Sequence, residues 1–496
     1  MPRFILSSGI VITLLLTSCN LPQTTIGDNA AIPVVEQTTI IPPHHDPDKP
    51  ALSPTADAPH SLPAIRNQFE AYTVQPNDTL RAIAERYQIT LDMMIEANDL
   101  SNPDILSIGQ VLQIPPPLLA APGSDYKIIP DSELVYGPYG NYFDLDAFIN
   151  SQSGQLSIYH EEVNQEMVDG AQIIRMVSEN HSVNPRLLLA LLEYQSGWLT
   201  QEQSHLEQLS FPLGYADPSY SGLFAQLNWA ANNLNRGYYL WRVNGLSAWV
   251  TNDEITIPAS NTINAGTAAL QYFFSLTSNE MEWRQHVSSD GFVATYRLLF
   301  GEPFEWAFEP LLPNNLTQPE MQLPFESNIA WTFTGGPHGG WDSGSAWAAL
   351  DFAPPMEQLG CYPNNSWVVA MADGLVVRSE DGIVIQDLDG DGDPGTGWVL
   401  FYLHIESRDR VANGVFLQAG ERIGHPSCEG GISSGTHLHI ARRYNGEWIP
   451  ADGTLPFVLD GWVSSGSGIA YEGTMQRDGQ SIEACECQET EHTLQR

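Results

Sequence analysis

Gly435-Thr436-His437-Leu438-His439-Ile440 decides how this chain folds and where its chemistry lies. Leu438 and Ile440 alternate with His437 and His439, and on a strand residues i and i+2 share a face. Both imidazoles therefore stand on one side while the two aliphatic side chains enter a core. Two imidazoles side by side are costly to bury unless they are used. A metal ion, or a metal with a polarised water, is the natural partner. Three further pieces carry compatible groups: Gly335-Gly336-Pro337-His338-Gly339-Gly340, Leu350-Asp351-Phe352-Ala353-Pro354 and Tyr402-Leu403-His404-Ile405. From about 318 to 462 the text consists of short alternating runs broken by Gly and Asp, which reads as all-β.

Together these pieces resemble the lysostaphin/LytM-type zinc endopeptidases of peptidoglycan, over most of 325–450. The resemblance implies that His338, an Asp and His439 bind Zn2+, with the fourth position left for water. Such a metal lowers the pKa of its water from about 15.7 to roughly 7 and polarises the scissile carbonyl. The family's two remaining histidines map to His404 and His437, which would accept the water's proton, hold the oxyanion and help the amine leave. The Asp has two candidates. Asp342 fits the family's His-x-x-x-Asp count from His338. Asp351 sits in text matching that around the family's ligand and implies an insertion, Trp341 to Ala349. Asp351 is the choice, because flanking strand residues fix its direction, whereas Asp342 lies among Gly and Ser. A relative that had lost ligands would act instead as a scaffold or activator of other wall hydrolases; here every ligand type is present.

Other polar residues of this region have simpler readings. His425 precedes Pro426 and reads as a solvated turn residue. Asp387, Asp389, Asp391 and Gly392 echo a calcium loop, but an EF-hand would need Glu at position twelve, where Trp398 stands. An Asp/Gly hairpin joining two strands is the preferred reading, with bound calcium as the alternative.

Towards the N-terminus, Tyr72-Thr73-Val74 is a short β-prone run and Pro76-Asn77-Asp78-Thr79 a turn with capping oxygens. Leu80, Ile83, Ala84 and Tyr87 fall on one helical stripe. Thr90 can cap a second helix bearing Leu91, Met94 and Ile95, and Val111 to Ile114 closes with a strand. This β-α-α-β order over 70–116, with Asp78-Thr79-Leu80, Asn98-x-Leu100 and Gly109-Gln110-x-Leu112-x-Ile114-Pro115, resembles the LysM module. The resemblance implies binding of N-acetylglucosamine polymers, chiefly peptidoglycan, in a groove mapping to Asn77, Asp78, Thr79, Ile105 and Leu106.

Between the two lies a helical, aromatic-rich segment, 126–312. Asn184-Pro185 is an N-cap and first-turn pair, and Leu187, Leu188, Leu191 and Leu192 give the helix a buried face. The helix ends in Glu193-Tyr194-Gln195-Ser196-Gly197-Trp198. With Gly222-Leu223 and Asn264 to Leu270, this resembles the lysozyme-like fold of lytic transglycosylases. That family's acid directly precedes Ser-Gly, where this chain has Gln195, and an amide cannot protonate a glycosidic oxygen. A degenerate glycan-binding domain follows, or a plain helical spacer, with Glu193 as a displaced acid the remaining option. The fold class is thus multidomain α+β: a small βααβ LysM module, an all-α lysozyme-like domain and an antiparallel all-β LytM-type peptidase domain.

The ends and the composition set the compartment. Residues Phe4 to Leu16 are mostly apolar and precede Leu16-Thr17-Ser18-Cys19, which resembles the bacterial lipobox; residues 1–19 then form a lipoprotein signal, with Cys19 lipidated and the protein held at the membrane on its extracytoplasmic side. Residues 20–69 are rich in Pro, Thr and Asp and read as a disordered tether, and 463–496 as a loose polar tail. Cys361, Cys428, Cys485 and Cys487 remain, an even number in an oxidising compartment. Cys361–Cys428 is the expected pair, since both lie in one domain; the pairing of Cys485 and Cys487 is open. The 496 residues carry 59 acidic against 20 basic side chains. So acidic a surface repels phosphate backbones and excludes nucleic acid as a main partner.

Overall fold

The computed structural model describes residues 59–87, 89–140, 142–201 and 206–496, with the backbone alone at Leu206 and Glu207. The signal segment with Cys19 and most of the tether lie outside the described residues. No helix among the described residues is long and apolar enough to cross a membrane.

The first module runs strand Glu70–Thr73, helices Leu80–Arg86 and Leu91–Ala97, strand Val111–Ile114. The hydroxyls of Thr79 and Thr90 cap the two helices, accepting from the backbone N–H of Ala82 and Met93. Leu80, Ile83 and Ala84 bury their stripe against Val74, Met94, Leu112 and Ile114. The strands pair antiparallel, Tyr72 opposite Leu112.

The next segment is built on helices Gly170–His181, Pro185–Ser196, Leu223–Arg242 and Ala265–Ser275. The expectation of an all-α domain is corrected here. Leu118–Leu119 pairs in parallel with Ile255–Pro258, which also pairs with Ala248–Val250. His160–Val163 and Glu166–Asp169 form a hairpin whose turn residues Asn164 and Gln165 both have positive φ, 51° and 69°. Strands of two to four residues carry too little alternation to read from sequence, and this turn lacks the glycine that usually signals such a geometry.

The β domain is a sheet in the order Phe416–Leu417, Gly374–Glu380, Ile383–Asp387, Trp398–Leu403, Leu438–Tyr444, Ala349–Ala353, Trp331–His338, Thr493–Leu494. Its central strands are buried on both faces. One face packs on Trp331, Phe333, Leu350, Phe352, Leu438 and Ile440. The other places Ile383, Ile385, Phe401, Ala441 and Trp448 in the same hydrophobic cluster as Ala230, Leu234 and Tyr238 of helix Leu223–Arg242. The helical segment and the sheet therefore share a core. Residues 463–496, read as a loose tail, are ordered. Trp462–Gly466, Gly473–Arg477 and Gln480–Glu483 form antiparallel pairs, and the turn at Asp478-Gly479 has positive φ at both residues. Asp-Gly is a strong hairpin signal, and polar composition concealed it. Thr493–Leu494 then pairs with Trp331 and Thr332, covering an edge that would otherwise expose unpaired backbone groups.

Candidate metal centre

Three neighbouring strands set the site by their register. His439 on Leu438–Tyr444 lies opposite Leu403 on one side and Asp351 on the other. Asp351 lies opposite Gly335, and a bulge between Gly335 and His338 swings His338 back over it. His404 follows Leu403 at the strand end with φ 66°, a conformation uncommon for a residue other than glycine and one that clusters at working sites.

The donor atoms converge. His338 Nε2 is 3.1 Å from His439 Nδ1 and 3.3 Å from Asp351 Oδ1, and His439 Nδ1 is 3.1 Å from the same oxygen. All three residues are buried, and their ligand atoms lie within 4.8 Å of one another. The far nitrogens are committed: His338 Nδ1–H donates to the Gly336 carbonyl (2.8 Å) and His439 Nε2–H to the Gly340 carbonyl (3.1 Å). In neutral imidazoles this leaves His338 Nε2 and His439 Nδ1 as bare acceptors aimed at each other. Asp351 Oδ1 is buried without a hydrogen-bond partner. Only a proton or a cation can sit among three such lone pairs, and two imidazoles with one carboxylate, each ring held from behind by a carbonyl, suit zinc. Burial pushes the Asp351 carboxyl up, but the His338 and His437 rings outweigh it and hold it well below the carboxylate range. Burial pushes His338 down, yet Asp351 more than offsets this and raises it. His439 is held low, chiefly by burial.

The other two histidines form a second pair. Their ring centroids are 4.4 Å apart. His404 Nδ1–H donates to the Glu429 carbonyl (2.8 Å) and His437 Nδ1–H to the Gly435 carbonyl (2.8 Å), so both Nε2 atoms are free. His437 Nε2 lies 3.8 Å from Asp351 Oδ2. Burial, with His437 and His439 nearby, pushes His404 down to about 3. The structure thus gathers His338, Asp351, His439, His404 and His437, drawn from four segments. Asp342 stays outside: it has φ 56° and its carboxylate accepts from Ser343 N–H within its own loop (2.6 Å).

Tyr471 was not foreseen. Its ring stacks on His338 at 4.1 Å and 18°, and its backbone pairs with Gly336 and Pro337. No sequence signal marked it, because it lies in the segment read as a tail. His425, read as solvated, is buried: it packs on Trp367 at 4.0 Å and bonds the Ser366 carbonyl. Asp387, Asp389 and Asp391 gather in the turn between Ile383–Asp387 and Trp398–Leu403, with Asp387 accepting from Gly392 N–H (2.9 Å). Cys361 bonds Cys428, and Cys485 bonds Cys487.

The remaining candidates divide. In the first module Asn77 and Ile105 are exposed and Leu106 half-buried. Asp78 accepts from Tyr72 O–H (2.6 Å) and Gln75 N–H (2.7 Å). In the helical segment the Glu193 carboxylate accepts from Leu199 N–H, Thr200 N–H and the Thr200 hydroxyl. It fastens the turn after its helix and has no spare geometry for an acid.

Residues 72–115 match the LysM domain and residues 127–315 the N-terminal domain of LasA. The segment read as lysozyme-like is thereby matched to a different family. Protease LasA of Pseudomonas aeruginosa is 26% identical over 343 residues, 65% of this chain and 75% of that protein. The beta-lytic metalloendopeptidase of Lysobacter enzymogenes is 26% identical over 167 residues, 33% of this chain and 88% of that protein. Among solved structures, the M23 metalloprotease pseudoalterin is 24% identical, covering 37% of this chain and 99% of its own, with a TM-score of 0.29. The catalytic domain of lysostaphin from Staphylococcus simulans is 22% identical, covering 25% and 90%, with a TM-score of 0.18. The chain is thus similar to protease LasA and, over 167 residues, to the beta-lytic metalloendopeptidase, and it carries a segment that matches the LysM domain.

Proposed function

We propose that this protein is a zinc endopeptidase that hydrolyses peptide bonds in peptidoglycan stem peptides or cross-bridges while its LysM module docks it on glycan. The observation that supports this best is the meeting of His338, Asp351 and His439 around one point, with His404 and His437 beside it. When bound there, zinc would supply a water acidified to roughly pKa 7 and a Lewis acid for the scissile carbonyl. His338, Asp351 and His439 hold the ion. His404 and His437, with free Nε2 atoms, take up the proton of the attacking water and steady the oxyanion. Tyr471 walls the site against His338. The LysM groove at Asn77, Asp78, Thr79, Ile105 and Leu106 raises the local concentration of substrate, so the catalytic groove can bind weakly. Export through 1–19 and lipidation at Cys19 would keep the enzyme at the extracytoplasmic face of the membrane.

Full-length protein should hold about one zinc per chain at His338, Asp351 and His439, and release new amino groups from purified peptidoglycan. Chelation and His439→Ala should each abolish that release. A zinc-free chain that still assembles with wall hydrolases and stimulates them would establish the scaffold role instead. The commitment of Glu193 to its turn argues against glycan cleavage by the helical segment.

A further inference from the structure

Resting on the metal-centre reading above, we propose that the helical segment is a working part of that centre, and that Asn232 is a positioning residue that sets the orientation of His439 from across the shared core.

The argument starts at the Gly340 carbonyl, which holds His439 Nε2–H at 3.1 Å and so aims Nδ1 at Asp351. Gly340 is the second residue of the loop 339–348, and two ties from the helical segment hold that loop. The first is Asn232 on helix Leu223–Arg242. Its Oδ1 accepts from Gly344 N–H (2.6 Å) and its Nδ2–H donates to Ser343 Oγ (3.3 Å). Gly344 sits so close that a methyl group on it would overlap the Asn232 carbonyl oxygen. The second tie is Trp448. A methyl group on Gly340 would come within 2.6 Å of its indole ring. Trp448 is itself fixed to helical residues, its backbone N–H donating to Tyr239 Oη (2.9 Å) and its Nε1–H to the His181 carbonyl (3.2 Å). Within the loop, Gly340 N–H donates to the Ala346 carbonyl (3.0 Å) and Trp341 N–H to Ser345 Oγ (2.9 Å). These bonds make 340–346 one unit, so displacement at 343–344 is carried to the carbonyl that aims His439. Partners behind a ligating imidazole typically govern 10–100-fold in metal affinity.

The test is zinc affinity of the full-length chain by competition with a chromophoric chelator, alongside thermal melts of the metal-free protein. Asn232→Leu should weaken the Kd by about 10–100-fold. Asn232→Asp keeps the acceptor for Gly344 and should restore an affinity close to the parent's, a rescue that a general structural role would not give. Asn233→Ala, next on the helix, whose side chain donates to the Trp229 carbonyl of its own helix, should leave the Kd unchanged. Gly344→Ala displaces the loop with Asn232 intact and should weaken binding as Asn232→Leu does; it decides the matter if Asn232→Leu does not fold. Parent-like affinity in Asn232→Leu or Gly344→Ala overturns the inference. A parent chain that takes up no zinc overturns the metal centre and this inference together, an outcome visible before any variant is compared.

Discussion

Replacing Asp351 by Asn should stabilise the metal-free protein while removing its response to zinc. In the parent with both rings neutral, Asp351 Oδ1 lies 3.1 Å from His439 Nδ1 and 3.3 Å from His338 Nε2, both then acceptors because their other nitrogens donate to backbone carbonyls. The carboxylate adds a third acceptor and a buried charge. Asn has the same shape, and its amide nitrogen at the Oδ1 position donates to both imidazoles. Hydrogen bonds of this kind contribute about 0.5–1.5 kcal/mol each, so the metal-free variant should gain about 1 kcal/mol or more. The parent should gain about 2.7 kcal/mol from zinc at a hundredfold excess over its Kd; the variant, with a neutral ligand and filled lone pairs, should gain almost none. Urea melts with EDTA and with zinc measure both quantities. Asp342→Asn is the control and should keep the full zinc response, since Asp342 bonds within its own loop. Zinc-dependent stabilisation that survives in Asp351→Asn, or vanishes in Asp342→Asn, would refute the ligand assignment.

Three further outcomes are expected. His404→Ala should retain zinc, by metal analysis, while turnover of peptidoglycan falls about 10²–10⁴-fold, the usual share of a positioned acid–base group; release of the metal would reverse the division between ligand and catalytic histidines. His404 also makes the metal-free protein acid-sensitive: its pKa is pushed down to about 3 by burial and the adjacent imidazoles, against about 6.5 unfolded. Between these values the unfolded chain binds more protons, so stability is full above about pH 6.5 and falls on acidification, with this group contributing up to about 1.4 kcal/mol per pH unit; denaturation of His404→Gln in EDTA at pH 7 and pH 5 should show a shallower loss than the parent. Glu193→Gln should leave the release of amino groups unchanged, and neither protein should generate reducing ends or anhydro-sugars, because the Glu193 carboxylate is taken by Leu199 and Thr200.

Much of the site was legible because its signals are short-range. Leu438 and Ile440 alternate with two histidines, and the period of a strand assigns their faces without further information. Flanking strand residues likewise favour Asp351 over Asp342, and Asp351 lies opposite His439 while Asp342 lies in a loop. What escaped was of two kinds. The hairpin at Asn164-Gln165 and the strands Leu118–Leu119 and Ala248–Val250 are too short for periodicity to register. Residues 463–496 were misjudged because polar composition outweighed Asp478-Gly479, and with them went Tyr471, whose ring reaches His338 only after the chain has folded back.

The sequence by itself determined the local objects: a LysM-like β-α-α-β module with its Thr79 and Thr90 caps, a helix opened by Asn184-Pro185, strands with histidines on one face, and the residue types of a metal site. These follow from interactions among residues a few positions apart, whose geometry the backbone fixes. Tertiary structure decided the rest. It set Asp351 opposite His439, used a bulge to bring His338 over both, placed His439 beside His338 and Asp351 and His437 beside His404, and joined the helical segment to the sheet through Trp448 and Asn232. Such choices depend on packing and hydrogen bonding between segments far apart in the chain, and those energies exist only once the strands have found their register.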